Sequence, residues 1–528
     1  MQLSVGQWSY ASWIFPGFLL TLYSHNAFAA GFGIRGQSAT SIGTAGASDV
    51  AGTSDISAMF SNPAALSAFK GANISVGAAF IMPKGEFTEG KRTVASTGVE
   101  AINDSEDAMS SDDFGDNAAL PAIYASYEVN EDVTAGLALT APFGTNTDYG
   151  KDWVGRYHGT KTEFEVVNLD LAASYKLMDK LKLGFGVQVQ TGKGVIEGAS
   201  NYGAAANASV ATTAAQAAAK LVSDYYTAVG AGDSAAAAAA NTAIEANQVA
   251  TDFRTATQTA LAGQPASSYP SIIQNTLTAA GAQYVGGQVV AREGQDDVYA
   301  SYEGTSINYG FTLGVLYSPV PEVDLGLSYR SQVIHKTEGD FKLSGETAAA
   351  EAYAQGVGLK RDADLTLPIP DIIGFGANYK GVTDMNIYLS ASMTRWSRLK
   401  DLNVVPVSGD NVLVLLDWED VWHVGLGGDY KVNENVVLRA GVASDNSPTT
   451  DDLRSPRSPD DNRRMYSIGG RYQAEAWSAD LGFMHSSFRD PILNLKNDAY
   501  PKANGRGDLS GKYTVTANTL MAQYNRAL

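Results

Sequence analysis

Apolar and polar residues alternate along most of this chain with a period of two, which puts the apolar side chains of each segment on one face of a strand. From Val167 to Leu177 the odd positions are all apolar, and the even ones are polar or small. Leu181, Leu183, Phe185, Val187 and Val189 repeat the pattern against Lys182, Gly184, Gly186, Gln188 and Gln190. Between the two runs lies Met178-Asp179-Lys180, short enough for a tight hairpin. Similar runs include Ile74 to Phe80, Val133 to Leu139, Ile307 to Tyr317, Met385 to Met393, Trp422 to Leu426 and Trp477 to Phe483. Together they predict roughly 14 strands, an even number as in bacterial outer-membrane barrels.

The second face decides between a soluble and a membrane β-protein. A soluble sandwich would carry many Lys and Glu there. Here it carries Gly, Ser, Thr, Asn and Gln with isolated charges, which suits a crowded polar lumen. Tyr175, Tyr317, Tyr329, Tyr379, Trp396, Trp418, Trp422, Tyr430 and Tyr472 fall near strand ends, the placement of aromatic girdles at membrane interfaces. Short turns at 130–132, 178–180, 318–322, 381–383 and 431–434 alternate with long connections at 85–118, 142–162, 192–303, 340–366, 397–416, 444–464 and 487–510. The short turns are assigned to the periplasmic rim and the long ones to the outside. The predicted fold is all-β: a transmembrane antiparallel β-barrel of roughly 14 strands, with an N-terminal lumen plug and a helical outer loop.

Composition narrows the chemistry. The 528 residues would ordinarily suggest several soluble domains, but the barrel reading makes residues 71–528 one unit. A mean hydropathy of −0.12 excludes a polytopic helical membrane protein but fits the average of two opposite barrel faces. With no cysteine there is no disulfide and no Cys-ligated metal. The five histidines show no paired spacing, so no metal or other cofactor is expected. The net charge of −19 argues against nucleic acid, whose phosphates are met by Lys and Arg. No nucleophile elbow frames the Ser, His and Asp residues, so an outer-membrane lipase or protease is disfavoured and no enzyme activity is expected.

Residues 1–29 read as a secretory signal. Trp13 to Tyr23 is an apolar run about half the length of a transmembrane helix. Ala27-Phe28-Ala29 supplies a cleavage pattern, although residues 1–12 lack the usual basic start. Residues 30–70 are rich in Gly, Ala and Ser and do not alternate, so they are expected to fold back and plug the lumen; a periplasmic tail is the competing reading. Residues 199–300 form an Ala-rich insertion with helix propensity, with Leu221, Tyr225 and Val229 on one face. Such a loop is either functional, collecting an apolar ligand at the barrel mouth, or a low-complexity insertion. Arg454, Arg457, Arg463 and Arg464 cluster in one outer loop, fitting either lipopolysaccharide phosphates or ligand capture. The acidic stretch from Asp104 to Asp116 matches no calcium loop.

The whole mature chain resembles the FadL-type (OMPP1/FadL/TodX) outer-membrane transporters. The resemblance rests on Ala30-Gly31-Phe32, Ser61-Asn62-Pro63-Ala64, Ala141-Pro142-Phe143-Gly144 and Asp152 to His158. Thr394-Arg395-Trp396-Ser397, Asp445-Asn446-Ser447-Pro448 and Pro459-Asp460 complete it, in that order. It implies passive uptake of long-chain fatty acids or similar hydrophobic compounds, through lumen binding, a change in the plug or hatch, and lateral release where one wall strand is kinked. Asn62, Pro63 and Ala64 fall on the hatch motif. The family's ligand positions fall on Lys193, Asp420 and Arg463. Lys193 departs from an arginine and lacks its bidentate fork. The long insertion and the ending Arg526-Ala527-Leu528, in place of a terminal aromatic, are further departures. Aromatic-hydrocarbon uptake, a nonspecific porin and an adhesin remain alternatives. The expected setting is the Gram-negative outer membrane, as a monomer among outer-membrane lipid and lipopolysaccharide.

Overall fold

The computed structural model describes residues 31–93, 109–273, 275, 297–407, 411–496 and 506–528; the signal reading of residues 1–29 and Asp104 to Asp107 lie outside these. Among the described residues the chain closes into an antiparallel barrel of 14 wall strands. They are β1 (Ala72–Arg92), β2 (Ala118–Glu128), β3 (Val133–Asp148), β4 (Lys161–Met178) and β5 (Leu181–Ser200). Next come β6 (Val298–Val320), β7 in two pieces (Val323–Arg330, Val333–Gly345) and β8 in two pieces (Lys360–Ile369, Ile372–Val382). The wall is completed by β9 (Met385–Thr394), β10 (Val421–Lys431), β11 (Val436–Asp445), β12 (Arg463–Gln473), β13 (Trp477–Phe488) and β14 (Leu509–Ala527). Closure is by β1 on β14, from Asn73 opposite Ala527 to Arg92 opposite Leu509.

The period-two pattern maps onto this wall. Phe185, Leu313, Leu327, Leu389, Leu426 and Ile468 are exposed on the outside, where lipid would cover them, while Asn168, Asp170, Gln188, Gln190 and Ser390 are buried inside. Tyr127, Tyr175, Tyr317, Tyr379, Tyr430, Tyr472 and Tyr524 form an exposed aromatic ring at the short-turn end. Trp396 and Trp418 are not part of a girdle; both are buried and stack edge-to-face on each other in the lumen. The strands also run further than their alternation suggested. β1 continues to Arg92, β5 to Ser200 and β6 begins at Val298, because ladder bonding persists after the outward face turns polar.

Inside the wall sits the segment 31–70. Its core is a short helix α1 (Ala39–Gly43), capped by the Ser38 hydroxyl accepting from the Ser41 N–H, followed by two 3₁₀ turns (Ile56–Phe60, Pro63–Ala68). Ile42, Ile56, Met59 and Leu66 pack with Ala79, Leu120, Tyr124, Met465 and Met521 of the wall in one apolar cluster. In the large insertion, α2 (Tyr202–Ala231), α3 (Ser234–Glu245) and α4 (Gln248–Leu261) pack on one another around Val222, Ile244, Phe253 and Ile273. The buried face of α2 therefore runs through Ala218 and Val222; Leu221 and Tyr225 flank it and Val229 is exposed.

Candidate functional site

The N-terminal segment is wedged where the wall has no side chains. Asn62 caps the second 3₁₀ turn, its carbonyl oxygen accepting from the Ala64 N–H, and Pro63 occupies the first helical position. The Asn62 amide donates to the Val50 carbonyl at 2.8 Å and to the Val315 carbonyl of β6 at 3.0 Å. Opposite lie Gly184 and Gly314. A Cβ at Gly314 would stand 2.1 Å from the Asn62 carbonyl oxygen, and one at Gly184 would stand 2.2 Å from the Ala64 nitrogen. Only glycine permits this approach. At the same short-turn end Asp55 accepts from Thr40 at 2.7 Å, from Ser57 and from Arg471 of β12 at 2.8 Å. Arg471 and Arg439 both reach Asp480, at 2.8 and 2.5 Å. Burial alone would raise the Asp55 carboxyl, but Arg471, Ser57 and Thr40 outweigh it and hold it below the usual range.

The long-loop end is built differently. Residues 32–37 run as a strap against β3. Gly33 bridges Phe143, the Ile34 N–H donates to the Pro142 carbonyl at 2.9 Å, and the Gly144 N–H donates to the Phe32 carbonyl at 2.8 Å. The Gln37 amide donates to the Ala141 carbonyl at 3.3 Å. These contacts exist because β3 leaves its neighbour. The β2–β3 ladder runs from Glu128 opposite Thr134 only as far as Ile123 opposite Leu139, and the register of β3 on β4 shifts between Thr140 and Phe143. Beyond that point residues 141–147 are all buried, turned into the lumen. Each edge of the gap carries a proline, Pro121 and Pro142, a residue that strands tolerate where ladder bonds are missing. Higher up the gap is bridged again: Asn146 donates to Asp116 at 2.9 Å and the Asp148 N–H to the Phe114 carbonyl at 3.0 Å. The result is a window in the wall, framed above and below.

Phe32, at the tip of the strap, sits among Phe164, Trp396 and Trp418, with ring centroids 4.9 to 5.7 Å away. Behind it an apolar cluster extends through Val166, Ile196, Leu365, Leu367, Val404 and Val414. Below the strap a cavity of about 110 Å³ is lined by Ile34, Arg35, Asp49, Phe60, Pro142, Phe143, Arg330, Ser392, Trp396 and His423 among others. Arg35 reaches across the lumen to Asp445 of β11, Nε to Oδ2 at 3.2 Å, and to the Ser392 hydroxyl of β9 at 3.3 Å. Arg463 holds the same carboxylate at 2.7 Å, and the His423 ring lies 3.9 Å from it. Asp460, in the loop before β12, accepts from the Gly31 N–H at 3.2 Å and from Ser447 at 2.9 Å; burial pushes its carboxyl up to about 7 against the pull of Arg463. Asp49 on the N-terminal segment is pushed up to about 6, again by burial, with Ser41 and Arg35 opposing.

The residues singled out from sequence fall in three places. Asn62, Pro63 and Ala64 meet the wall glycines, and Arg463 lies in the lumen with Asp445. Lys193 does not join it. It has the parity of Phe185 and Val187, so it points outward, paired with Glu163 at 2.9 Å and near Glu303 at 3.9 Å. Asp420 is also on the outward parity; it accepts from the Ser397 N–H at 3.0 Å beside Arg395. Of the loop arginines, Arg454 and Arg457 are buried structural residues. Arg454 binds Asp451 and Asp461, and Arg457 binds Thr162 and the Glu197 carbonyl. Sequence reasoning missed Arg35 and Asp445 as partners; 410 positions separate them.

The family model described as "Outer membrane protein transport protein (OMPP1/FadL/TodX)" matches residues 20–292 and 285–528. Outer membrane protein P1 of Haemophilus influenzae is 26% identical over 88% of each chain, and the long-chain fatty acid transport protein of Escherichia coli K12 is 22% identical over 88% of this chain and 90% of that one. A crystal structure of a Pseudomonas aeruginosa FadL homologue superposes with a TM-score of 0.72 at 20% identity, covering 94% of this chain and all of the other. The toluene transporter TodX of P. putida gives 0.56 at 15% identity, covering 94% and 99%.

Proposed function

The chain belongs to the OMPP1/FadL/TodX family, non-enzymatic outer-membrane barrels of Gram-negative bacteria that carry hydrophobic compounds inward, and from that premise we propose that its cargo is a long-chain fatty acid or an amphiphile of the same build. The observation that carries this reading is a cavity holding a guanidinium, Arg35, beside the inward-bent Pro142–Phe143 at the wall window. A carboxylate is matched by the cation, and an acyl tail by the window and the apolar cluster around Phe32. An apolar cavity of about 150 Å³ holds a single benzene ring. A space of about 110 Å³ lined by charges suits a head group, and a long tail requires the N-terminal segment to shift.

In this route the ligand gathers at the helical outer insertion and enters the lumen above Phe32. Residues 30–70 act as a hatch whose movement opens the window, and the ligand leaves sideways into the bilayer. Lateral exit spares the apolar chain a passage through water, worth about 0.8 kcal/mol per CH₂. No energy source is invoked. Aromatic-hydrocarbon uptake is the second reading. It is supported by the likeness to a toluene transporter and opposed by the charge of that cavity's lining.

Uptake of labelled oleate and labelled toluene by cells making the protein, against cells making a form lacking residues 31–66, tests this. Saturable oleate uptake that loses selectivity on deletion is expected. Toluene uptake without oleate uptake would replace the fatty-acid reading. Entry of small sugars at equal rates through the intact protein would make it a plain porin.

A further inference from the structure

Arg35 stands at the middle of the strap that holds the window shut. Ile34 before it donates to the Pro142 carbonyl, and Gln37 after it donates to the Ala141 carbonyl. Its own side chain is fixed on the opposite side of the lumen, at Asp445 and Ser392. The strap is therefore stretched between the third wall strand and the far side of the lumen, where Arg35 is its charged anchor on the ninth and eleventh strands and Phe32 its apolar one, against Trp396 and Trp418.

That anchor can be exchanged without leaving a buried charge alone. Asp445 has two guanidinium partners, and the Arg463 contact, at 2.7 Å, is shorter than the Arg35 contacts at 3.2 and 3.5 Å. Breaking a buried pair is costly chiefly because one partner is stranded. If another carboxylate takes Arg35, Asp445 keeps Arg463 and Arg35 keeps an anion, so neither is stranded. The Arg35 side chain is 19% exposed and lines the cavity, so an incoming anion can reach it, whereas Asp445 is fully buried. The other groups facing this point are Asp49 and His423. We propose that Arg35 is a carboxylate-operated latch: the head group of the transported amphiphile displaces Asp445 from Arg35, and the freed strap releases the inward-bent part of β3 at the window.

This latch deepens the transport reading above and rests on it. It predicts that opening depends on the ligand's charge and not only on its tail. Oleate and oleyl alcohol share a chain and differ in the head group. Binding of each to the purified protein in detergent is compared for the natural chain, Arg35→Gln and Arg35→Lys, after heat-modifiable migration confirms that each barrel is folded. The preference for oleate over the alcohol is expected to fall about tenfold in Arg35→Gln, the size of a lost charge-assisted bond, and to be partly rescued in Arg35→Lys. A second measurement uses the absence of cysteine. In Ile34→Cys, oleate is expected to speed labelling by a thiol reagent several-fold, and oleyl alcohol to do so much less. An unchanged oleate preference in Arg35→Gln, or equal labelling with both ligands, overturns the latch while leaving transport standing. A natural chain that binds neither ligand overturns the latch and the transport reading together.

Discussion

The two ends of the lumen segment are held by the same kind of contact, an arginine on a buried carboxylate, yet they differ in redundancy. At the short-turn end Asp55 accepts from four side chains, and its partner Arg471 is also bound to Asp480 and to the Ser54 carbonyl. Asp480 in turn holds Arg439 and Asn525. Removing any one bond there leaves the others in place. At the long-loop end the strap has one ion pair, Arg35 on Asp445, beside the Gly31–Asp460 bond, the Phe32 ring packing, the Gln37 bonds and backbone bonds to β3. On the latch proposed above, the segment is pinned below and exchangeable above, which is the arrangement a reversible opening needs.

The largest test of that contrast is Asp55→Leu. It removes four hydrogen bonds to a buried carboxylate at once, while Arg471 keeps Asp480, and is expected to cost about 3–5 kcal/mol, read as a lower urea midpoint and as protease cleavage within residues 31–70 of the folded barrel. If the midpoint stays put, the lower end is not the pinned one. Gly184→Val comes next. Its side chain must displace Pro63 and Ala64, costing about 1–3 kcal/mol, and planar-bilayer recordings should then show a steady current absent from the natural chain.

Acidity separates the ends with opposite sign. Asp55 has a lowered carboxyl, so its contribution is present above the ordinary value of 3.8 and is lost only as pH falls below it. Asp460 is raised to about 7, so its contribution is full below 3.8 and declines as pH climbs through 7. Between pH 5 and 8, roughly, hydrogen exchange of residues 31–37, corrected for intrinsic rate, should accelerate several-fold while residues 54–62 stay unchanged. Asp460→Asn should reduce that response, the remainder coming from Asp49 beside Arg35, which is raised to about 6, and an equal acceleration in both stretches would erase the distinction. The smallest effect belongs to Lys193→Gln, a partly exposed pair on the outer face worth about 0–1 kcal/mol, with no change in oleate uptake. Lost uptake would return Lys193 to the ligand's path.

Much of the architecture was legible because a barrel writes both faces into each strand. The parity that placed Phe185 and Val187 against lipid also places Lys193 outside, so its position could have been read from the same alternation that a family correspondence overrode. Pro142 inside a strand was a readable sign of broken pairing, as was Pro121. The Arg35–Asp445 contact was not readable: no local rule links positions 410 apart, and the pairing exists only once the barrel closes around the segment. Trp396 and Trp418 misled for a related reason, since an aromatic near a strand end can serve a girdle or a lumen box, and only the turn after Thr394 decides.

The window is framed, with a ladder below Leu139 and bonds to residues 114–116 above. An opening bounded on all sides cannot spread by unzipping, so its height is fixed at about 20 Å, six extended residues. A wall built this way acts as a sieve toward the bilayer itself. On the lateral route proposed above, one slender chain passes edgewise, while two-tailed phospholipids and the many-tailed lipids of the outer leaflet need a broader breach, so a window that opens with its strap need not become a leak for the membrane.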